Sequence, residues 1–248
     1  MTHGEPAAAP RLVFVAGAPG SRWSSVARAV AYAAEVDHSD ETENRGYQGR
    51  PDRPSGRPGH FGSYFGPGME FGDRFDRLDT LPVAELEREL LRPFASPSGV
   101  LLLKSHYFAR FLPYLARTFP GSRFLLAHRE DGRCLQWWLA CGGFDISYPR
   151  YDHYRDVAGI RAAIASDNAG IRHFAASHGV SLPTPPRGVV DVTSDLGLTF
   201  DPAAAKARAR SAAESAWVDR LPGTDLLDRL DGALSGVSVV TVRPVRCG

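Results

Sequence analysis

A lysine and a histidine stand together at the end of an apolar segment. Val100–Leu103 is followed directly by Lys104, Ser105 and His106. Because residues two apart on a strand share a face, Lys104 and His106 would look into one crevice. A neutral histidine can take a proton from a hydroxyl near neutral pH, and a lysine neutralises charge on a departing oxygen. The pair therefore predicts proton abstraction beside an anion, with a purely structural histidine as the alternative.

A glycine-containing segment earlier in the chain predicts an anion-binding loop. Residues 17–25 read Gly-Ala-Pro-Gly-Ser-Arg-Trp-Ser-Ser and lie between an apolar segment and an alanine-rich one. Such a turn directs unpaired backbone N–H groups and a helix dipole at a phosphate. The hydroxyls of Ser21, Ser24 and Ser25 and the guanidinium of Arg22 add donors. A glycine turn with only a structural role is the alternative.

The elements that would position these groups alternate along the chain. Strands are predicted at Leu12–Ala16, Val100–Leu103, Arg123–His128, Gly188–Thr193 and Val237–Val242. Helices are predicted at Val26–Ala34, Tyr107–Thr118, Glu130–Cys141, Val157–Ser177, from Asp201 onward, and near Thr224–Leu234. This alternation predicts one α/β domain over residues 1–248, with a mainly parallel sheet covered on both faces. The carboxyl ends of such strands face the ligand crevice.

The segment Asp37–Gly68 interrupts the alternation. It is rich in glycine, proline, arginine, aspartate and serine, a composition that predicts a long loop. Its end, His60–Phe71, mixes glycines with the large side chains of Phe61, Tyr64, Phe65, Met69 and Phe71. Two interpretations stay open: a lid or acceptor-binding loop, and a segment that folds back onto the core.

Composition narrows the class of protein. The 248 residues are 43% hydrophobic and 23% charged, which is enough for a substantial core. A net charge of +1 provides no field for nonspecific binding of nucleic acid or an anionic membrane. No apolar run approaches the length of about 20 residues needed for a span, and a cytoplasmic location is expected. The cysteines lack metal-ligand spacing, so they are expected to be reduced, and no metal site is predicted.

Four segments resemble motifs of one enzyme family. Residues 17–25 look like the loop with which sulfotransferases bind the 5′-phosphosulfate of 3′-phosphoadenosine 5′-phosphosulfate (PAPS), written G-x-P-[RK]-S-G-[ST]-[ST]. Lys104-Ser105-His106 is similar to the K-[ST]-H segment that carries their catalytic base. Residues 119–129 are similar to the strand that ends in an arginine for the 3′-phosphate. Asp195-Leu196 with Asp201-Pro202 faintly resembles a later E-D-L…D-P segment.

The resemblance implies a P-loop-type, three-layer α/β/α fold and a sulfotransferase with PAPS as co-substrate. It would transfer a sulfuryl group to a hydroxyl of a small molecule or glycan. His106 would remove the acceptor's proton, while Lys104 and Arg22 would stabilise charge on the departing phosphate. The cofactor contacts that it implies are Gly17, Gly20, Ser21, Arg22, Trp23, Ser24, Ser25, Arg129 and Gln136.

The chain departs from the family pattern at several positions. Gly20 stands where the loop usually has a basic residue, and Arg22 replaces the next glycine, so that Arg22 would supply the charge from a shifted position. Trp137, beside Gln136, replaces the serine for the 3′-phosphate. The family's R-K-G triplet is missing near the C-terminus, where the basic residues are Lys206, Arg208 and Arg210.

The acceptor is predicted to bind between the His60–Phe71 segment and residues 136–151, whose aromatic groups would form an apolar wall. Core packing explains these aromatic groups equally well.

Two other functions stay open. A kinase-like phosphoryl transferase is disfavoured, because the pattern G-x-x-x-x-G-K-[ST] would need glycine at Arg22 and lysine at Trp23. The other is a catalytically degenerate P-loop protein that binds a nucleotide. His128, Asp152, His153 and His173 are expected to be structural or exposed.

Overall fold

The described part of the chain is built around a four-stranded sheet. The structure, a computed structural model, describes residues 10–42, 45, 61–66, 70–95, 97–145 and 151–244. The strand order is β4 (Val100–Lys104), β1 (Arg11–Gly17), β5 (Arg123–His128) and β6 (Ser238–Val242). β1 pairs in parallel with β4 and with β5, whereas β6 runs antiparallel to β5. The fold is therefore α/β, with a mixed central sheet.

Each strand of this sheet is a short apolar run. In β1, Val13 and Val15 join one buried cluster, and Phe14 and Ala16 join the cluster on the opposite face. Apolar side chains on both faces are typical of parallel strands that are covered on both sides. Full burial of one such valine or phenylalanine side chain contributes about 1.5–3 kcal/mol. This strong pattern explains why the strands predicted in β1, β4, β5 and β6 are confirmed.

Helices pack on both faces of the sheet. They are α1 (Trp23–Val30), α2 (Val83–Leu91), α3 (Leu112–Thr118), α4 (Asp131–Ala140), α5 (Val157–Ser177), α6 (Val189–Asp195), α7 (Pro202–Ala209), α8 (Ala212–Val218) and α9 (Leu226–Leu234). Short 3₁₀ segments span Gly72–Thr80, His106–Arg110, Gly143–Asp145 and Asp152–Tyr154. Side chains of α1 and α6 to α9 join the cluster on the Val13 face, and those of α2, α3 and α5 join the Phe14 face.

The strand predicted at Gly188–Thr193 is wrong, because these residues form α6. Val189 and Val192 reach the buried cluster at helical spacing, and Leu196 follows them. Asp231 Oδ1 accepts the N–H of Val189 at 2.7 Å, which satisfies a donor at the helix start. The β-branched residues favour a strand by propensity, and tertiary packing overrides that preference.

Most of the predicted helices are confirmed with shifted ends. The prediction at Val157–Ser177 matches α5, whereas the one at Tyr107–Thr118 is divided into a 3₁₀ segment and α3. The division falls where Pro113 lacks an N–H to continue the helical hydrogen bonds. Helix α1 begins at Trp23 and ends at Val30, earlier at both ends than the predicted helix. Helix α2 was not predicted.

The long loop predicted at 37–68 is described only near its two ends. Phe61, Tyr64 and Phe65 are buried, and so is Phe71. Phe65–Gly66 and Glu70–Phe71 form β2 and β3, a two-residue parallel ladder. His60 and Met69 lie outside the described residues. The packing therefore favours the interpretation that this segment folds onto the core, and the lid stays a prediction.

We expect the Glu214→Gln variant to lose about 3–5 kcal/mol of the free energy of unfolding. Arg28, which is 1% exposed, donates to this carboxylate at 3.1 and 3.0 Å, and Tyr32 Oη donates at 2.9 Å. The variant keeps the shape but removes the negative charge that the buried Arg28 guanidinium contacts. Urea unfolding measures the loss.

Asp152→Asn is the matched control for this prediction, because the ion pair of Asp152 with Arg155 is exposed. Its effect should stay within about 0.5 kcal/mol. Equal losses in the two variants would contradict the role assigned to the buried pair.

Candidate functional site

The strand order creates a crevice at one edge of the sheet. The chain passes from β1 to β4 on one side of it, and then across to β5 on the other side. Ligands of open α/β sheets bind outside the carboxyl ends of the strands at such a reversal. Here those ends are Gly17, Lys104 and His128. The predicted loop and the predicted lysine therefore belong to the same edge.

The loop after β1 has a backbone that requires glycine. Gly20 has φ +78°, and a Cβ there would overlap the carbonyl oxygen of Cys134 in α4. At Gly17 a Cβ would lie 2.5 Å from Ser21 Oγ. The N–H of Ser21 donates to Ala18 O at 3.0 Å, so that amide is occupied. The N–H groups of Gly20 and Arg22 have no acceptor among the described residues.

Ser21 and Arg22 occupy different environments within this loop. Ser21 is fully buried, and its Oγ has no hydrogen-bond partner in the described part of the chain. Arg22 adopts φ 68° at the start of α1 and donates to Ser235 O at 2.8 Å and Gly232 O at 3.2 Å. Its guanidinium therefore donates hydrogen bonds to carbonyl oxygens at the end of α9. Burial lowers the pKa of Arg22, and nearby Arg129 lowers it further.

Arg129 provides a second guanidinium at this edge, immediately after β5. Its Nε and Nη1 are buried, and within the described residues they have no hydrogen-bond partner. Both guanidiniums lie over the ring of Trp137, at 5.0 Å for Arg22 and 5.8 Å for Arg129. The two guanidiniums repel each other, and the buried donors of Arg129 are unused among the described residues. An anion between the two guanidiniums would relieve the repulsion and accept these hydrogen bonds. Trp137 thus acts as a stacking surface for both.

A cleft of about 710 Å³ adjoins Arg129. It lies between the end of β5, the start of α4, the Pro183–Pro186 segment and the start of β6. His128, Arg129, Arg133 and Arg172 line it, together with the acidic Glu130 and Asp131. Burial and the charge of Arg172 lower the pKa of His128, which disfavours the charged form of its ring. The cleft is large enough for part of a nucleotide.

Lys104 is covered in this conformation. It is 3% exposed, and its Nζ lies 3.4 Å from Asp40 Oδ2 and 4.2 Å from the ring centre of Phe61. Asp40 Oδ2 also accepts the N–H of Ser63 at 2.7 Å. A Cβ at Gly62, which has φ +59°, would lie 3.0 Å from Nζ. Segment 61–66 therefore lies on the lysine, and the lysine's charge is balanced internally.

His106 begins the 3₁₀ segment after β4, where Ser105 Oγ accepts the N–H of Tyr107. The imidazole is 2% exposed, and its Nδ1 lies 2.6 Å from the hydroxyl oxygen of Tyr64. The Tyr64 ring stacks on Trp23 of the loop, with ring centres 5.7 Å apart. Tyr64 therefore connects the loop after β1 to the histidine.

Neutral aromatic groups surround this imidazole. The rings of Tyr151 and His153 lie 4.8 and 5.9 Å from it, and Tyr154 lies at 6.4 Å. Burial raises the pKa of Tyr151 and of Tyr154 well above the ordinary value, and it lowers the pKa of His153 to about 4. All three groups are therefore uncharged near neutral pH. The Trp138 ring extends the cluster through Tyr154.

Comparison with protein-family models, with curated proteins and with solved structures finds no match. The function proposed below rests on the geometry and on the resemblance of the motifs.

Some predicted residues do not join the site. Gln136 is exposed on α4 and makes no hydrogen bond to a described residue, and Ser24 and Ser25 are only half-buried at the start of α1. Asp152 and His173 are exposed near or on α5. Trp23, by contrast, contributes its ring to the packing against Tyr64.

Two features of the site were not predicted. One is the pairing of Asp40 with Lys104, and the other is the hydrogen bond between Tyr64 and His106. The aromatic residues among glycines in His60–Phe71 were the available signal for Tyr64. Asp40 lies in a segment of loop composition that carries no comparable signal.

Within the described residues, no group of histidine, cysteine and carboxylate side chains is arranged to hold a metal. Cys134 is a free thiol, and burial raises its pKa to about 12. Cys247 lies outside the described residues. None of the described helices combines the length and the apolar character needed to cross a bilayer.

We expect the Gly20→Ala variant to be destabilised by about 2 kcal/mol or more, because the new Cβ meets a carbonyl oxygen at a left-handed backbone position. Gly121→Ala is the control: a Cβ at Gly121 would meet no atom within 4 Å. That variant should remain within about 0.5 kcal/mol of the parent. Thermal or urea unfolding of the two variants tests the loop geometry, and a Gly20→Ala protein as stable as the control would contradict it.

Proposed function

We propose that this chain is a PAPS-dependent sulfotransferase that transfers a sulfuryl group to a hydroxyl of a small molecule or glycan. The observation that carries the proposal is the 2.6 Å contact between His106 Nδ1 and the hydroxyl of Tyr64, next to a loop suited to phosphate. The local environment of the imidazole thus accommodates a hydroxyl at hydrogen-bonding distance. The fold belongs, in this proposal, to the three-layer P-loop type, with helices on both faces of the sheet.

The phosphates of the co-substrate are assigned to the loop and to the arginine after β5. The N–H groups of Gly20 and Arg22 and the hydroxyl of Ser21 would bind the 5′-phosphosulfate at the start of α1. Arg129 would bind the 3′-phosphate with donors that have no partner among the described residues. Trp137, which replaces the family's serine, supports the Arg129 guanidinium by stacking.

The transfer step follows from these positions. The acceptor oxygen attacks sulfur in line and forms a new S–O bond, while its proton passes to His106. The bond from sulfur to the bridging phosphate oxygen breaks, and its electron pair leaves with 3′-phosphoadenosine 5′-phosphate (PAP). Lys104 neutralises that oxygen after it exchanges Asp40 for the phosphate. No metal enters the step.

The acceptor has to open the site. Tyr64 is fully buried and His106 is 2% exposed, so neither is reachable while the surrounding aromatic rings stay packed. Acceptor binding would therefore displace part of the cluster around His106, which is the role predicted for segment 60–71 as a lid.

A second function is favoured by a specific observation. The charge of Lys104 is balanced by Asp40, and Arg22 is bonded to the end of α9. Both cations that the transfer requires are thus engaged by the protein itself. This arrangement also suits a protein that binds a nucleotide and does not turn it over.

We expect PAP to bind without added metal, and Arg129→Gln to weaken that binding about 10-fold or more, because charge-assisted hydrogen bonds are lost. Arg117→Gln, on the exposed end of α3, should leave binding unchanged. Isothermal titration measures both. Magnesium-dependent binding of ATP, together with failure to bind PAP, would instead favour a phosphoryl transferase.

We expect His106→Gln to lower the rate of sulfuryl transfer by about 100-fold or more, since it removes the proton acceptor. PAP affinity should change little, because His106 is not among the residues assigned to the phosphates of PAP. The rate is measured with radiolabelled PAPS and a panel of hydroxyl acceptors. Full activity of the variant would exclude His106 as the base. PAP binding without transfer to any acceptor would favour the protein without turnover.

A further inference from the structure

Three buried groups form a hydrogen-bonded chain that ends on His106. Tyr64 Oη lies 2.6 Å from His106 Nδ1 and 3.3 Å from Tyr151 Oη. Tyr64 is fully buried, and Tyr151 is 5% exposed. The backbone of Gly66 packs so closely on the Tyr151 hydroxyl that a Cβ at this position would overlap it. The positions of all three groups are therefore set by packing.

The shorter of the two contacts assigns a direction to this chain, because 2.6 Å between Tyr64 Oη and His106 Nδ1 suits an O–H donor better than an N–H donor. Among the described residues, Tyr64 Oη is the only hydrogen-bond partner of Tyr151 Oη. With Tyr64 donating to His106, Tyr151 donates to Tyr64, which avoids the cost of about 1–3 kcal/mol for a buried hydroxyl that fails to donate its proton. The oxygen of Tyr64 then accepts the hydrogen bond from Tyr151, and Tyr64 directs its own proton at His106.

The direction of the chain determines which ring nitrogen accepts. If Tyr64 donates to Nδ1, then Nδ1 carries the lone pair, and a neutral His106 carries its proton on Nε2. The short 2.6 Å distance suits a phenol donating to an imidazole nitrogen. The basic atom of His106 thus faces Tyr64 rather than open solvent.

From this geometry we propose that Tyr64 is a catalytic residue, which relays the acceptor's proton to Nδ1 of His106. This inference rests on the proposed function. The Tyr64 ring stacks on Trp23 of the loop that is assigned to the 5′-phosphosulfate. Tyr64 would therefore lie beside the sulfuryl donor. Tyr151 acts as a positioning residue, because its hydroxyl stabilises negative charge on Tyr64 Oη during the relay.

The relay conserves protons and electron pairs. The acceptor oxygen forms a bond to sulfur and gives its proton to Tyr64 Oη, as Tyr64 gives its own proton to Nδ1. The S–O bond to phosphate breaks, and its electron pair leaves on PAP. Tyr64 ends as a neutral phenol and His106 as an imidazolium, which returns its proton to solvent after product release.

The first test needs no acceptor. Nitrogen-15 spectra of the imidazole in the free full-length protein, assigned with His106→Gln, report which ring nitrogen is protonated. The relay predicts a proton on Nε2 and a hydrogen-bonded, unprotonated Nδ1. In Tyr64→Phe, which keeps the ring and its stack on Trp23, Nδ1 loses its donor and its resonance shifts. A wild-type protein with the proton on Nδ1 overturns the relay.

The second test uses transfer and binding together. Tyr64→Phe should lower transfer by about 100-fold while PAP binding stays within about 2-fold, and Tyr151→Phe should lower transfer by about 10-fold. Tyr114→Phe on α3 is the matched control and should change neither. The solvent isotope effect of the wild type should reflect two protons in motion, and that of any residual Tyr64→Phe activity only one.

The outcomes separate this inference from the proposed function. If PAP fails to bind the wild type, the proposed function fails, whatever the ring-nitrogen spectrum shows. If PAP binds and the wild type transfers, full activity of Tyr64→Phe overturns the relay alone. The isotope effect distinguishes a relay from packing, because a tyrosine that served only as packing would leave the number of moving protons unchanged.

Discussion

The burial of β1 between two parallel neighbours is the constraint on which the rest of the structure depends. Its backbone pairs with β4 on one edge and with β5 on the other, and its side chains enter the core on both faces. A strand held on four sides cannot shift along its axis without breaking two hydrogen-bond ladders and exposing apolar surface. The point where β1 ends is therefore fixed, and with it the start of the loop at residues 17–25.

The conformation of the loop after β1 depends on this fixed strand end. Gly17 packs on Ser21, and Gly20 packs on the backbone of α4, so the turn fits only because both positions lack a side chain. Helix α4 in turn carries Trp137, over which the guanidiniums of Arg22 and Arg129 lie. One packing contact thus sets both the direction of the loop amides and the position of the cations beside them.

The cations at this edge differ in how their charges are balanced. Lys104 is buried against a carboxylate, because an unpaired ammonium would carry a large desolvation cost at 3% exposure. Arg22 spreads its donors over the carbonyls that end α9. Arg129 retains donors without a partner in the described part of the chain. An arriving anion would therefore meet Arg129 first, and it would have to compete with Asp40 for Lys104.

The aromatic side chains form a buried and ordered connection between the loop after β1 and His106. Trp23 stacks on Tyr64, and Tyr64 contacts His106 through its hydroxyl. Hydrogen bonds in such an environment are stronger than in water, and their direction matters because no solvent can replace a missing partner. The buried cluster is thus as important to the candidate chemistry as the charged residues.

The sequence by itself determined the α/β class, the strands of the central sheet and the loop at the end of β1, because apolar runs and glycine turns are local signals. It did not determine α6, where valines that favour a strand by propensity are drawn into a helix by packing on the core. Only the tertiary structure brought Asp40 to Lys104 and Tyr64 to His106, since these pairs lie 64 and 42 residues apart. Contacts over such separations leave no periodic pattern in the chain. They follow from the packing of a loop onto a sheet edge, and that packing is decided by the whole core.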